Sequence, residues 1–126
     1  MIRHDDRLAA LDPRLADVVR RADRLAPFDL LVVETARTIE RQKQLVAQGA
    51  SRTLASRHIP NRAGYAEAVD LAPVLDGEVR WDWPLFGQIS AAMKTAAADL
   101  GVAIVWGGDW RTFKDGPHFE LGKEKP

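Results

Sequence analysis

The chain has 126 residues, 46% apolar and 29% charged, which fits one globular domain and excludes a disordered segment. Eighteen basic side chains balance eighteen acidic ones, which argues against nucleic-acid binding by broad phosphate neutralisation. No cysteine is present, so disulfides, thiolate metal ligands and thiol nucleophiles are excluded.

Residues 1–11 are charged at the start and lead into no apolar run, so they read as a flexible or loosely packed segment rather than a signal peptide. Asp12-Pro13 is a helix start, with a capping side chain followed by proline at the first helical position. Leu15, Val18, Val19, Ala22 and Leu25 then share one helical face, and Pro27 ends the helix. Residues 30–33 form a short apolar run that predicts a buried strand. A second helix is expected from Thr38, with Glu40 in its first turn, to Gly49. Residues 50–65 have a loop composition.

Residues 66–72 predict a strand, with Ala66, Ala68 and Asp70 on one face by period-two alternation. Asp76-Gly77 marks a turn. Asp82 and Pro84 open the longest helix, whose core face takes in Leu85, Ile89, Ala92, Met93, Ala96 and Leu100 before Gly101 closes it. Residues 102–106 predict another strand, broken by Gly107-Gly108, and residues 118–121 the last one. Helices and strands do not alternate regularly, which points to α+β with a small, mainly antiparallel sheet and about three helices. One domain spans residues 1–126, and no run approaches the ~18 apolar residues of a membrane span.

The chain has three histidines, and each can be weighed. His4 lies in a charged terminus and reads as a surface residue. His58 sits in a loop, Asp70 within a strand, and His118 just after Asp115-Gly116-Pro117. Two imidazoles and a carboxylate suit a catalytic zinc with one open position, but their spacing alone leaves ordinary surface or packing roles open. Asp70 lies between Val69 and Leu71, and an ionised carboxylate there is costly if buried unless it is paired or metal-bound. A salt bridge to an arginine would serve equally. Glu120 shares a strand face with His118 and could hydrogen-bond it from behind.

Three segments narrow these alternatives: Ser56-Arg57-His58, Ala68-Val69-Asp70-Leu71-Ala72-Pro73, and the stretch from Trp106-Gly107-Gly108-Asp109-Trp110 to Asp115-Gly116-Pro117-His118-Phe119-Glu120-Leu121. Together they resemble the L-alanyl-D-glutamate endopeptidase endolysins of phages. Those enzymes belong with the D-alanyl-D-alanine carboxypeptidases and dipeptidases, which share a hedgehog-like zinc peptidase fold. Arg37-Thr38, Gln42, residues 48–51 and Trp81-Asp82-Trp83-Pro84-Leu85 also fit that pattern, so the resemblance runs from about residue 30 to 121.

The resemblance implies that His58, Asp70 and His118 bind Zn²⁺. It puts Asp115 at the general-base position, three residues before the last histidine and often a glutamate in the family. It assigns Arg37 to the developing oxyanion, a role that suits its guanidinium fork. Ser56 would orient substrate or its loop, and Trp106 and Asp109 would shape the site wall, with plain packing roles for both equally open.

One departure from the family pattern is a longer loop. Eleven residues separate His58 from Asp70, where Ser-x-His-x-x-Gly-x-Ala-x-Asp has six. The added closure entropy is only about half a kcal/mol, so the loop bears on substrate fit more than on metal binding.

The implied function is zinc-dependent cleavage of peptidoglycan stem peptides, most directly at the L-alanyl-D-glutamate bond, by a phage or prophage lysis enzyme. Such a protein would be a monomer, made in the cytoplasm and reaching the wall through a permeabilised membrane. Two alternatives stay open: a D-alanyl-D-alanine carboxypeptidase or dipeptidase, and a catalytically silent zinc-containing wall-binding module.

Overall fold

A computed structural model describes residues 2–51 and 56–123. Its strands are β1 (Ile2–Arg3), β2 (Asp29–Glu34), β3 (Ala68–Leu75), β4 (Glu78–Val79), β5 (Ile104–Trp106) and β6 (His118–Leu121). They form one sheet in the order β1-β2-β3-β6-β5, with β4 paired to β3. Only β1 with β2 is parallel; the other pairs are antiparallel. Among the described residues, three α-helices accompany the sheet: α1 (Pro13–Leu25), α2 (Ile39–Ala47) and α3 (Trp83–Leu100). Two 3-10 turns, Asp5–Ala10 and Gly107–Asp109, are added to these. This is the expected α+β architecture.

Local chemistry accounts for the helix ends. The Asp12 carboxylate accepts from the Arg14 amide at 2.9 Å, and Pro13 opens α1. Thr38 caps α2 from just outside it, accepting from the Arg41 amide at 3.0 Å. Gly101 ends α3 at φ 68°, a left-handed conformation that favours glycine. Asp76 and Gly77, at φ 51° and 80°, form the two-residue turn of the β3–β4 hairpin. That hairpin carries β3 past its expected end at Ala72, since the Pro73 carbonyl accepts from the Arg80 amide at 3.0 Å.

Alternation along the strands divides the sheet into two functional faces. Leu30, Val32, Val69, Leu71, Phe119 and Leu121 join Val18, Val19, Ile89 and Met93 from α1 and α3 in one apolar core. Asp70, His118 and Glu120 therefore point to the opposite face. Leu25 and Leu100, expected on the core faces of their helices, are each 44% exposed because they occupy the last turns, beyond the packed stretch.

The segment before Asp12 differs from expectation: it is tied down. Leu8 and Leu11 are each 1% exposed, and β1 pairs with Leu30 and Leu31 of β2. Leu11 bridges Ala66, whose amide donates to Ala10 and whose carbonyl accepts from Asp12. Buried leucines at this spacing were hidden by the surrounding charges. Leu8→Ala should cost about 2–5 kcal/mol of unfolding free energy by urea titration. A change below half a kcal/mol would mean that this segment packs loosely after all.

Candidate active site

The site grows from one register. Asp70 of β3 lies directly opposite His118 of β6, and Ala68 opposite Glu120. Directly opposed residues share a sheet face, so the carboxylate and the imidazole are neighbours by construction. On the other side, β2 carries a bulge between Val32 and Glu34 that sets Glu34 opposite Asp70. In unbroken alternation Glu34 would follow Leu30 and Val32 into the core; the bulge re-aims it toward the site.

His58 arrives from the loop and is 2% exposed. Its Nδ1 lies 2.8 Å from the Thr35 carbonyl, which can only accept, so Nδ1 carries the hydrogen. That leaves Nε2 facing inward, 3.2 Å from Asp70 Oδ1. His118 has the mirror arrangement. Its Nε2 donates to Glu120 Oε1 at 2.8 Å, and its Nδ1 lies 3.3 Å from the same Asp70 oxygen. One potential ligand atom from each of the three residues lies within 4.8 Å of the other two. Each histidine is thus held from behind by an acceptor while its other nitrogen faces the carboxylate, the donor arrangement of a metal site.

The electrostatics follow from this packing. Burial pushes the Asp70 carboxyl up, but hydrogen bonds from His118 and His58 outweigh it and hold the group far below its ordinary value. Burial pulls His118 down, yet hydrogen bonds to Asp70 and Glu120 prevail and raise it to about 9. Without a metal, a proton on the inward nitrogen of His118 balances the carboxylate.

Arg37 is 9% exposed and gripped on two edges. Its Nε and Nη2 donate to the two Glu34 oxygens at 2.7 and 2.8 Å, and Nη1 donates to Gln42 Oε1 at 2.7 Å. Nη2 also lies 3.9 Å from Asp70 Oδ2. The Glu34 hydrogen bond is the largest influence holding the guanidinium charged, ahead of the opposing cost of burial.

Asp115 joins Arg37, His58, Asp70 and His118 in lining a cleft of about 540 Å³. Among the described residues no side chain hydrogen-bonds its carboxylate. Burial and the charge of Asp70 push its pKa up against the pull of His118, His58 and Arg37. The Asp115 backbone is fixed: its amide donates to Gly107 at 3.1 Å and its carbonyl accepts from His118 at 3.3 Å. A Cβ on Gly107 would lie 2.4 Å from that carbonyl oxygen, so glycine there is required by close approach.

The remaining expected residues divide. Ser56 Oγ accepts from the His58 amide at 3.1 Å and orients the loop; Glu120 backs His118. Trp106 and Asp109 do not form the wall. The Trp106 indole donates to the Gly116 carbonyl at 2.7 Å and stacks on Phe119, while Asp109 pairs with Lys94 of α3 at 2.7 Å. The wall is instead built by Trp110, whose ring centroid is 5.0 Å from that of His118, and by Phe113. Sequence reading also missed Glu34 and Thr35. The three-residue spacing of Glu34 and Arg37 was a usable signal, whereas a backbone carbonyl such as that of Thr35 leaves none.

Comparison with known proteins points to one family. The family model described as phage L-alanyl-D-glutamate peptidase matches residues 2–122. The L-alanyl-D-glutamate peptidase of Escherichia phage T5 is 32% identical over 132 residues, covering 93% of each chain. The peptidoglycan L-alanyl-D-glutamate endopeptidase CwlK of Bacillus subtilis is 27% identical over 114 residues, covering 84% of this chain and 68% of its own. Among solved structures, the Serratia marcescens L-Ala D-Glu endopeptidase ChiX superposes with a TM-score of 0.88 at 37% identity, covering 97% of this chain and 90% of its own. The chain belongs to the phage L-alanyl-D-glutamate peptidase family.

Proposed function

We propose that this protein is a zinc-dependent peptidase that hydrolyses the L-alanyl-D-glutamate bond of peptidoglycan stem peptides. The observation that carries the reading is the convergence of His58 Nε2 and His118 Nδ1 on one Asp70 oxygen, each ring anchored from behind. Two neutral imidazoles and a carboxylate are a ligand set suited to Zn²⁺ with an open position. Zn²⁺ held by these residues supplies Lewis acidity toward the scissile carbonyl and lowers the pKa of water to about 7.

The chain's own groups supply the rest. Asp115 accepts a proton from the attacking water and returns it to the departing amine of the D-glutamate residue. Its exposure to the cleft, raised pKa and lack of a side-chain hydrogen bond suit a group that must change protonation state during turnover. Arg37, fixed by Glu34 and Gln42, offers its remaining N–H groups to the carbonyl oxygen as negative charge develops. Held rigidly, it loses little freedom at that moment. Trp110 covers His118 and keeps one side of the site apolar. The phage T5 relative supports a lysis role at the cell wall, and among the described residues no helix is long and apolar enough to cross a membrane.

Mass spectrometry of stem peptides incubated with zinc-loaded protein should show a new fragment ending in L-alanine, absent from a chelated sample. Release of terminal D-alanine instead would contradict the assigned bond. His58→Ala should lose bound zinc and cleavage together. Asp115→Asn should retain zinc while turnover falls by about 10²–10⁴-fold; near-normal turnover would remove Asp115 from the role of base.

The metal-free protein has its own pH signature. The His118 pKa, raised to about 9 from 6.5, contributes stability that is complete below pH 6.5 and lost as pH rises through about 9. The thermal midpoint of chelated protein should therefore fall across that window. Stabilisation by added zinc should grow over the same range, because ligation requires the neutral imidazole. A flat midpoint for chelated protein from pH 6.5 to 9 would contradict the pairing of His118 with Asp70.

A further inference from the structure

The long loop between His58 and Asp70 is not a floppy addition. The Asn61 carboxamide oxygen accepts from the Ala63 and Tyr65 amides at 2.9 and 3.2 Å. Its backbone amide donates to the Tyr65 carbonyl at 2.9 Å, and its carbonyl accepts from the Gly64 amide at 2.9 Å. Gly64 takes φ 87°, as a compact turn there requires. One atom points out of this knot. Asn61 Nδ2 donates to Glu67 Oε2 at 2.9 Å, and Glu67 Oε1 accepts from Arg57 Nη1 at 2.5 Å. The Glu67 amide also donates to the Arg57 carbonyl at 2.9 Å, locking the two residues side by side.

Arg57 therefore ends a chain of contacts that begins in the loop, and it lines the cleft that holds His58, Asp70 and His118. Its side chain is 44% exposed, and among the described residues its one hydrogen bond goes to Glu67. Its Nε stands 3.9 Å from Glu120 Oε2, whose other oxygen holds His118. The second arginine of the cleft, Arg37, is 9% exposed and already clamped by Glu34 and Gln42. Arg57 is thus the cleft cation, among the described residues, with guanidinium donors facing solvent beside the ligand group.

We propose that Arg57, oriented by Asn61 and Glu67, binds the free α-carboxylate of the D-glutamate residue on the leaving side of the scissile bond. The inference rests on the peptidase reading above. In an L-alanyl-D-glutamate bond that carboxylate sits on the carbon bearing the scissile nitrogen, so it enters the cleft with the bond. The cleft is otherwise rich in acids, with Glu34, Asp70, Asp115 and Glu120, and repels an anion wherever no cation meets it. A guanidinium fork matches a carboxylate, and its partial desolvation makes the pairing selective. The long loop then acts in specificity, through the side chain it orients.

The test uses zinc-loaded protein and two substrates, L-alanyl-γ-D-glutamyl-L-lysine amide with the α-carboxyl free and the same peptide with it amidated. The native protein should prefer the free acid by about tenfold or more in kcat/KM, the size of one such pairing. Arg57→Gln should collapse that ratio toward one, and Arg57→Lys should restore part of it. Asn61→Ala, outside the cleft, should reduce the ratio part way. Equal rates on both peptides by the native protein, or an unchanged preference in Arg57→Gln, would overturn the assignment while leaving the peptidase reading intact. Cleavage of neither peptide by the native protein would overturn both.

Discussion

Everything in this structure is arranged around one carboxylate in the middle of a sheet. Asp70 is flanked by apolar neighbours along its strand and must have its charge balanced where it stands. Two imidazoles meet it on the same oxygen, and an arginine approaches the other. None of the three partners is free to drift: Thr35 holds His58, Glu120 holds His118, and Glu34 with Gln42 holds Arg37. A half-buried charge that would weaken an ordinary core thus becomes the centre of a rigid polar cluster. The same rigidity presets a ligand set.

Support for that cluster reaches well beyond the cleft. The β2 bulge that brings Glu34 to the site leaves strand carbonyls in need of donors, and Arg7 supplies them, reaching Val32 and Val33 at 3.0 and 2.7 Å. Thr35 Oγ1 in turn donates to the Arg7 carbonyl at 2.9 Å. The N-terminal segment therefore braces the residues that position His58 and Arg37. On the far side, Gly107 lets its turn press against Asp115, and Trp106 holds the Gly116 carbonyl. Catalytic geometry here is a property of both chain ends and the sheet between them.

Much of this was legible in the sequence, for identifiable reasons. Helix boundaries were marked by Asp12-Pro13, Thr38 and Gly101, whose capping chemistry is local. Alternation in β3 and β6 placed Asp70, His118 and Glu120 on faces that the register then aligned. The convergence of His58 with them depended on pattern resemblance, because residues twelve apart across a loop carry no local signal. The bulge at Glu34 was invisible, since one extra residue in an apolar strand changes no composition. Trp106 and Asp109 stay open in the sequence between site wall and packing, because an aromatic or acid near a glycine turn looks the same whether it faces a cleft or packs behind it. The N-terminal segment was misread because its two anchoring leucines are diluted among charges.

The most direct test of the central claim is anomalous diffraction at the zinc edge from crystals of zinc-loaded protein. One strong peak should appear, bounded by His58 Nε2, Asp70 and His118 Nδ1, and it should be lost in His118→Ala. A peak elsewhere, or coordination through His58 Nδ1 or His118 Nε2, would contradict the arrangement from which the chemistry has been derived.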